Sequence, residues 1–91
     1  GYIRDSLGWY YFKVGRISDA LDELNKAKKL EPQDVSIQKH LAIIYTSKKD
    51  FRSAKKYIVE AIKLAKQESE RKELYNVLKS LESKRVPASF K

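Results

Sequence analysis

Shifted against itself by 34 positions, the chain meets its own pattern: Ile3 falls on Ile37, Leu7 on Leu41, Tyr11 on Tyr45, Ala20 on Ala54, Ala27 on Ala61 and Leu30 on Leu64. The matched residues are of the kind a core needs, so the period marks a repeated structural unit. A unit this short cannot bury its apolar face alone and must stack on a neighbour of its own kind.

Inside the first unit Ile3, Leu7, Tyr10, Tyr11 and Val14, then Ala20, Leu21, Leu24, Ala27 and Leu30, recur at helical spacing. Two helices follow, parted at Gly15. Ser18 is the expected N-cap of the second, with Asp19, Asp22 and Glu23 in its first turns where the helix dipole favours negative charge. Pro32 cannot continue that helix, and Asp34 can cap the next. The second unit repeats the plan through Ile37, Leu41, Ile44 and Tyr45, then Phe51, Ala54, Ile58, Ala61 and Leu64. Lys49 stands where Gly15 stood, so its turn must be made without glycine.

Residues 69–85 leave the period, yet Leu74, Val77, Leu78 and Leu81 form an apolar stripe between Glu70, Lys72, Glu73, Lys79 and Glu82. One apolar and one polar face suit a helix that closes a stack. From Arg52 to Arg85 there is no glycine or proline, so separation of the fourth helix from the fifth rests on the polar run Lys66 to Glu73. The pattern predicts helices over 2–14, 18–30, 36–48, 52–65 and 69–84, and divides the chain into units 1–34 and 35–68, a closing helix 69–85 and a flexible tail 86–91.

Ninety-one residues allow one small domain, in which every buried contact counts. With 42% hydrophobic and 35% charged residues the chain is too apolar for a disordered segment and too charged for a membrane bundle. No apolar run approaches the roughly 18 residues that span a bilayer. The lack of cysteine excludes disulfide and thiolate chemistry, and the single histidine, His40, cannot build a histidine-based metal site. No nucleophile and base stand at a convincing helical spacing, and no glycine-rich phosphate loop is present, so neither enzyme, metal nor cofactor is implied. The net charge of +8 lies wholly after residue 34.

Leu7, Gly8, Tyr11, Ala20, Leu24, Ala27 and Pro32 resemble the tetratricopeptide-repeat signature, which returns in Leu41, Ala42, Tyr45, Ala54, Ile58 and Ala61. Gly8 and Ala42 let a neighbouring helix approach closely where the alanines pack. The second unit departs from the pattern with Lys66 in place of Pro32. The resemblance implies an all-α fold, tandem helix-turn-helix repeats forming a fragment of a right-handed α-solenoid with a C-terminal capping helix. It also implies a non-enzymatic scaffold that holds a peptide or helix of a protein partner on the concave face lined by the first helix of each repeat. The stretch DSLGWYYFKVGR is similar to the last repeats of large bacterial members, some of them envelope-associated. The chain, opening on Gly1 in helix-like sequence, accordingly reads as the end of a longer protein of the bacterial envelope or cytoplasm.

On that resemblance the peptide-binding positions are Tyr2, Asp5, Trp9, Phe12 and Lys13, followed by Ser36, Lys39, Ile43 and Thr46. The four aromatic residues of LGWYYFKVG divide: Tyr10 and Tyr11 turn mostly to the core, Trp9 and Phe12 towards the groove. Chaperone-binding members grip a C-terminal carboxylate with lysine and asparagine. Here Lys39 fits, but Asp5 would repel the carboxylate and no asparagine lies on either inner face. Trp9, Phe12 and Ile43 suit an apolar or aromatic peptide, or a helix. The alternative to the groove is a basic module that binds nucleic acid or another polyanion through Lys48, Lys49, Arg52, Lys55 and Lys56. A third reading is self-assembly with a second copy of the chain as partner.

Overall fold

The computed structural model describes the backbone of residues 2–84 and the side chains of residues 6–84. The expected tail 86–91 and the side chains of Tyr2 and Asp5 lie outside the described residues. Five helices occupy the described chain: α1 (Tyr2–Lys13), α2 (Ile17–Leu30), α3 (Val35–Ser47), α4 (Phe51–Leu64) and α5 (Glu68–Glu82). Helix α1 packs on α2 and α3 on α4 as antiparallel hairpins, α2 lies against α3, and α5 folds back onto α4. The fold is an all-α helical-repeat array.

The 34-residue period is preserved down to single hydrogen bonds. After α1, the Arg16 amide donates to the Tyr11 carbonyl at 2.8 Å and Gly15 to Phe12 at 3.1 Å; after α3, Asp50 donates to Tyr45 at 2.9 Å and Lys49 to Thr46 at 2.9 Å. This closure needs a left-handed residue, and Gly15 supplies it at φ 85° while Lys49 supplies it at φ 62°. Lysine thus holds a conformation that a Cβ disfavours.

Caps set the helix starts. The Asp34 carboxylate accepts from the Ser36 and Ile37 amides at 2.8 and 3.4 Å, and Asp50 accepts from the Ser53 amide at 3.2 Å and its hydroxyl at 2.9 Å. Ser18 is not the cap of α2. The turn at Gly15 starts that helix earlier, leaving Arg16 at the cap position with no side-chain hydrogen bond and Ser18 in the first turn. Arg16 instead pairs with Asp19 at 2.7 Å.

Two apolar clusters form the core. One gathers Ala20, Leu24, Ala27, Ile37, Leu41 and Ile44, with Tyr11 and Phe12 packed against it; the other gathers Ala42, Ala54, Ile58, Ala61, Ala65, Leu74, Val77 and Leu81. Gly8 lets α1 and α2 touch, since a Cβ there would stand 2.8 Å from Leu24 Cγ and 3.3 Å from the Ala20 carbonyl oxygen. Helices α4 and α5 are separate. Ala65 turns extended (φ −66°, ψ 128°) and is itself buried, so the chain reverses without glycine or proline. One long helix would carry Leu74, Val77 and Leu81 away from α4, whereas the break buries all three, each worth about 1.5–3 kcal/mol against exposure.

The expected core stripe of α1 is only partly buried. Tyr11 packs inward, but Leu7, Tyr10 and Val14 are exposed, because no described helix covers that side of α1.

Candidate functional site

The first helices of the hairpins, α1 and α3, meet through an aromatic contact. Trp9 stacks on His40 with ring centroids 4.4 Å apart and planes 20° from parallel, and its other aromatic neighbour, Phe12, is at 5.1 Å. Lys13 Nζ lies 5.0 Å from the centre of the Trp9 ring. Trp9 and Phe12 are half-buried and Lys13 is exposed. Helical spacing puts Trp9, Phe12 and Lys13 together on α1, away from Leu7, Tyr10 and Val14. Stacking and the nearby ammonium hold the indole in one orientation while part of it remains open to a ligand.

Along α3 the same face becomes polar. Lys39 Nζ meets Glu73 Oε1 of α5 at 3.0 Å, with both side chains partly exposed. An ion pair so placed adds at most about 1 kcal/mol, but it answers the lysine charge. An incoming carboxylate must therefore displace Glu73 before it can use Lys39. Beside this pair a cleft of about 320 Å³ opens between the starts of α3 and α5, lined among others by Ser36, Lys39, Ser69, Glu70 and Glu73.

Two expected positions contribute less than their helical register suggested. Thr46 is buried and donates its hydroxyl to the Ala42 carbonyl at 2.8 Å, which turns the group into its own helix and removes it from the peptide-binding set. Ile43 is buried to 8% exposure, so it supplies the floor of the face rather than an open contact. Tyr2 and Asp5 lie outside the described side chains. Trp9, Phe12, Lys13 and Lys39 remain accessible.

His40 and Glu73 were missed from the sequence. The signal for Glu73 was present: Asp5, Lys39 and Glu73 are spaced 34 residues apart with alternating charge, and equal positions in successive units are neighbours. His40 carried no comparable mark, since its contact joins unequal positions of the two units.

The basic residues of the alternative reading surround the α3–α4 turn. Lys48, Lys49, Arg52 and Lys56 are exposed and Lys55 is half-buried. Behind them Tyr45 and Tyr57 stack at 5.5 Å, with Lys28 Nζ 5.1 Å and Lys56 Nζ 5.9 Å from the Tyr57 ring centre and Lys48 Nζ 5.6 Å from that of Tyr45. Burial pushes the Tyr45 phenol above its ordinary pKa, aided by Tyr57 and the Asp50 charge. The Asp50 carboxyl is held below its ordinary value by the hydrogen bonds from Ser53 and by the nearby Lys48 and Arg52 charges.

Among the described residues no group of three or more His, Cys, Asp or Glu side chains converges for a metal ion, and no helix is long and apolar enough to cross a membrane. Residues 40–68, from within α3 to the first residue of α5, match the family model described as Tetratricopeptide repeat. No curated protein and no solved structure matches the chain.

Proposed function

We propose that this chain, whose residues 40–68 match the tetratricopeptide-repeat model, is a non-enzymatic scaffold that holds a peptide or helix of a partner protein on the face shared by α1 and α3. Repeats of this family mediate protein–protein interaction. The observation that carries the reading is Trp9: a half-buried indole, oriented by His40, Phe12 and Lys13, with apolar surface still to cover. Phe12 and the floor at Ile43 continue the apolar strip. The cleft with Ser36, Ser69, Glu70 and Glu73 then accepts the polar continuation of the ligand. Because Glu73 engages Lys39, the site suits an apolar or aromatic anchor better than a terminal carboxylate.

Selection of peptides from a random display library against the chain supplies the probe. Trp9→Ala should weaken the selected peptides by a hot-spot cost of about 2 kcal/mol or more while leaving helicity unchanged. Unchanged affinity would remove the reading.

A second reading draws on the exposed cations Lys48, Lys49, Arg52 and Lys56, with Lys55 beside them, which suit an acidic protein surface or a nucleic acid backbone. Salt-dependent retention on heparin, abolished by charge reversal at Lys48, Lys49, Lys55 and Lys56, would favour it.

A further inference from the structure

One period apart, the turns after α1 and α3 share a backbone and differ in charge. Residues 14–22 hold Asp19 and Asp22 against the single cation Arg16, whereas residues 48–56 hold Lys48, Lys49, Arg52, Lys55 and Lys56 against the single carboxylate of Asp50. The first turn closes without such cations, so the fold does not require them. Lys48 is answered by the negative end of the α3 dipole, but the others stand where local physics disfavours them. Lys49 holds φ 62° in the place where Gly15 needs no Cβ. Arg52, Lys55 and Lys56 occupy the first turns of α4, where the dipole favours negative charge; Asp50 aside, no acidic residue stands in the first of them. Departures from local rules that agree in sign point to a function for the charge. The structure adds a sixth cation from another element: Lys28 of α2 places its Nζ 5.1 Å from the Tyr57 ring centre, on the same stacked tyrosine pair that Lys48 and Lys56 flank. Among the described residues none of the six forms an ion pair with a carboxylate.

We infer that this strip, from the α3–α4 turn along α4 to Lys28 of α2, binds the phosphodiester backbone of a single-stranded nucleic acid, which rests on the cationic reading of the turn given above and names its partner. An acidic protein surface would need apolar anchors at the centre of the contact. Here Tyr45 and Tyr57 pack against the core and ammonium groups lie beside their rings, so charge is what the strip offers. Binding to a phosphate backbone is built from charge alone. Because lysines already attend both rings, the bases do not stack there, and recognition is independent of base sequence. The path through α2, the turn and α4 suits a flexible strand, which can follow it, better than a flat layer of lipid headgroups.

The test follows the fluorescence anisotropy of a labelled oligodeoxythymidine of about 20 nucleotides as the 91-residue chain is added at a series of salt concentrations. Affinity should fall as salt rises, and an abasic strand of equal length should bind alike. Lys28→Gln and Lys49→Gly, with helicity unchanged, should each lower the slope of log affinity against log salt by about 0.7, the share of one phosphate contact on a single strand. Lys49→Gly separates function from structure, because it relieves the backbone of the turn and still should bind more weakly. An unchanged slope in either variant would overturn the inference, as would a loss of roughly tenfold or more on the abasic strand. Tighter binding to phosphatidylserine vesicles than to the strand, at equal phosphate, would assign the strip to a membrane surface and overturn it equally. Retention on heparin without binding of the strand would overturn it and leave the broader cationic reading standing; binding to neither would end both.

Discussion

At two positions one period apart the same turn is built from different residues. Gly15 and Lys49 both adopt positive φ, at 85° and 62°, and no atom lies within 4 Å of a Cβ built on Gly15, so any cost of a side chain there is one of backbone conformation. Lys49→Gly should therefore stabilise the protein by roughly 0.5–1 kcal/mol, after the added freedom of the unfolded chain is subtracted, and Gly15→Ala should destabilise it by a similar amount. Chemical denaturation of the two variants checks both signs. Asp50 offers a pH-dependent counterpart. Its folded pKa lies below its ordinary value, so the stability it contributes is present above the unfolded pKa and is lost as pH falls through the folded one. Asp50→Ala should melt lower than the parent at neutral pH, and the gap should narrow in acid below about pH 4. A gap that stays constant with pH would mean that the α4 cap does not depend on the carboxylate charge.

Among the elements, what the sequence made legible was periodic. Helices α2 and α4 begin at Ile17 and Phe51 and end at Leu30 and Leu64, each pair one period apart. The expected starts, 18 and 52, fall one residue late; the cap positions are Arg16 rather than Ser18 for α2 and Asp50 for α4. Periodicity tells which residues share a face, but not which faces have a neighbour. For that reason Tyr10, expected in the core, is exposed on the side of α1 away from Trp9, and Thr46, expected in the groove, is buried. The stacking of Trp9 on His40 was hidden for the same reason, since it joins unlike positions of successive units. Mutating equivalent residues turns this into a measurement. Leu41→Ala should cost about 2–5 kcal/mol, because α2 covers a side chain that is fully buried, whereas Leu7→Ala should cost much less. Equal losses in thermal or denaturant unfolding would contradict the covering of α3 by α2.

For the whole molecule, the first helices of the two hairpins and α5 bring one aromatic ledge, one ion pair and one polar cleft onto neighbouring surface, while Lys48, Lys49, Arg52, Lys55 and Lys56 surround the α3–α4 turn. The two surfaces differ in character: the ledge is aromatic, the turn cationic. The closing helix adds Glu73, paired with Lys39, and Glu70 at the cleft to the first of them, which separates it in character from the turn. The most direct test of the account maps a display-selected peptide onto the labelled chain by two-dimensional NMR. The Trp9 indole N–H and the amides of Phe12, Lys39 and Ile43 should shift together and saturate with one affinity. Shifts confined to Lys48, Lys49, Arg52 and Lys56, with the Trp9 indole unmoved at saturation, would contradict it.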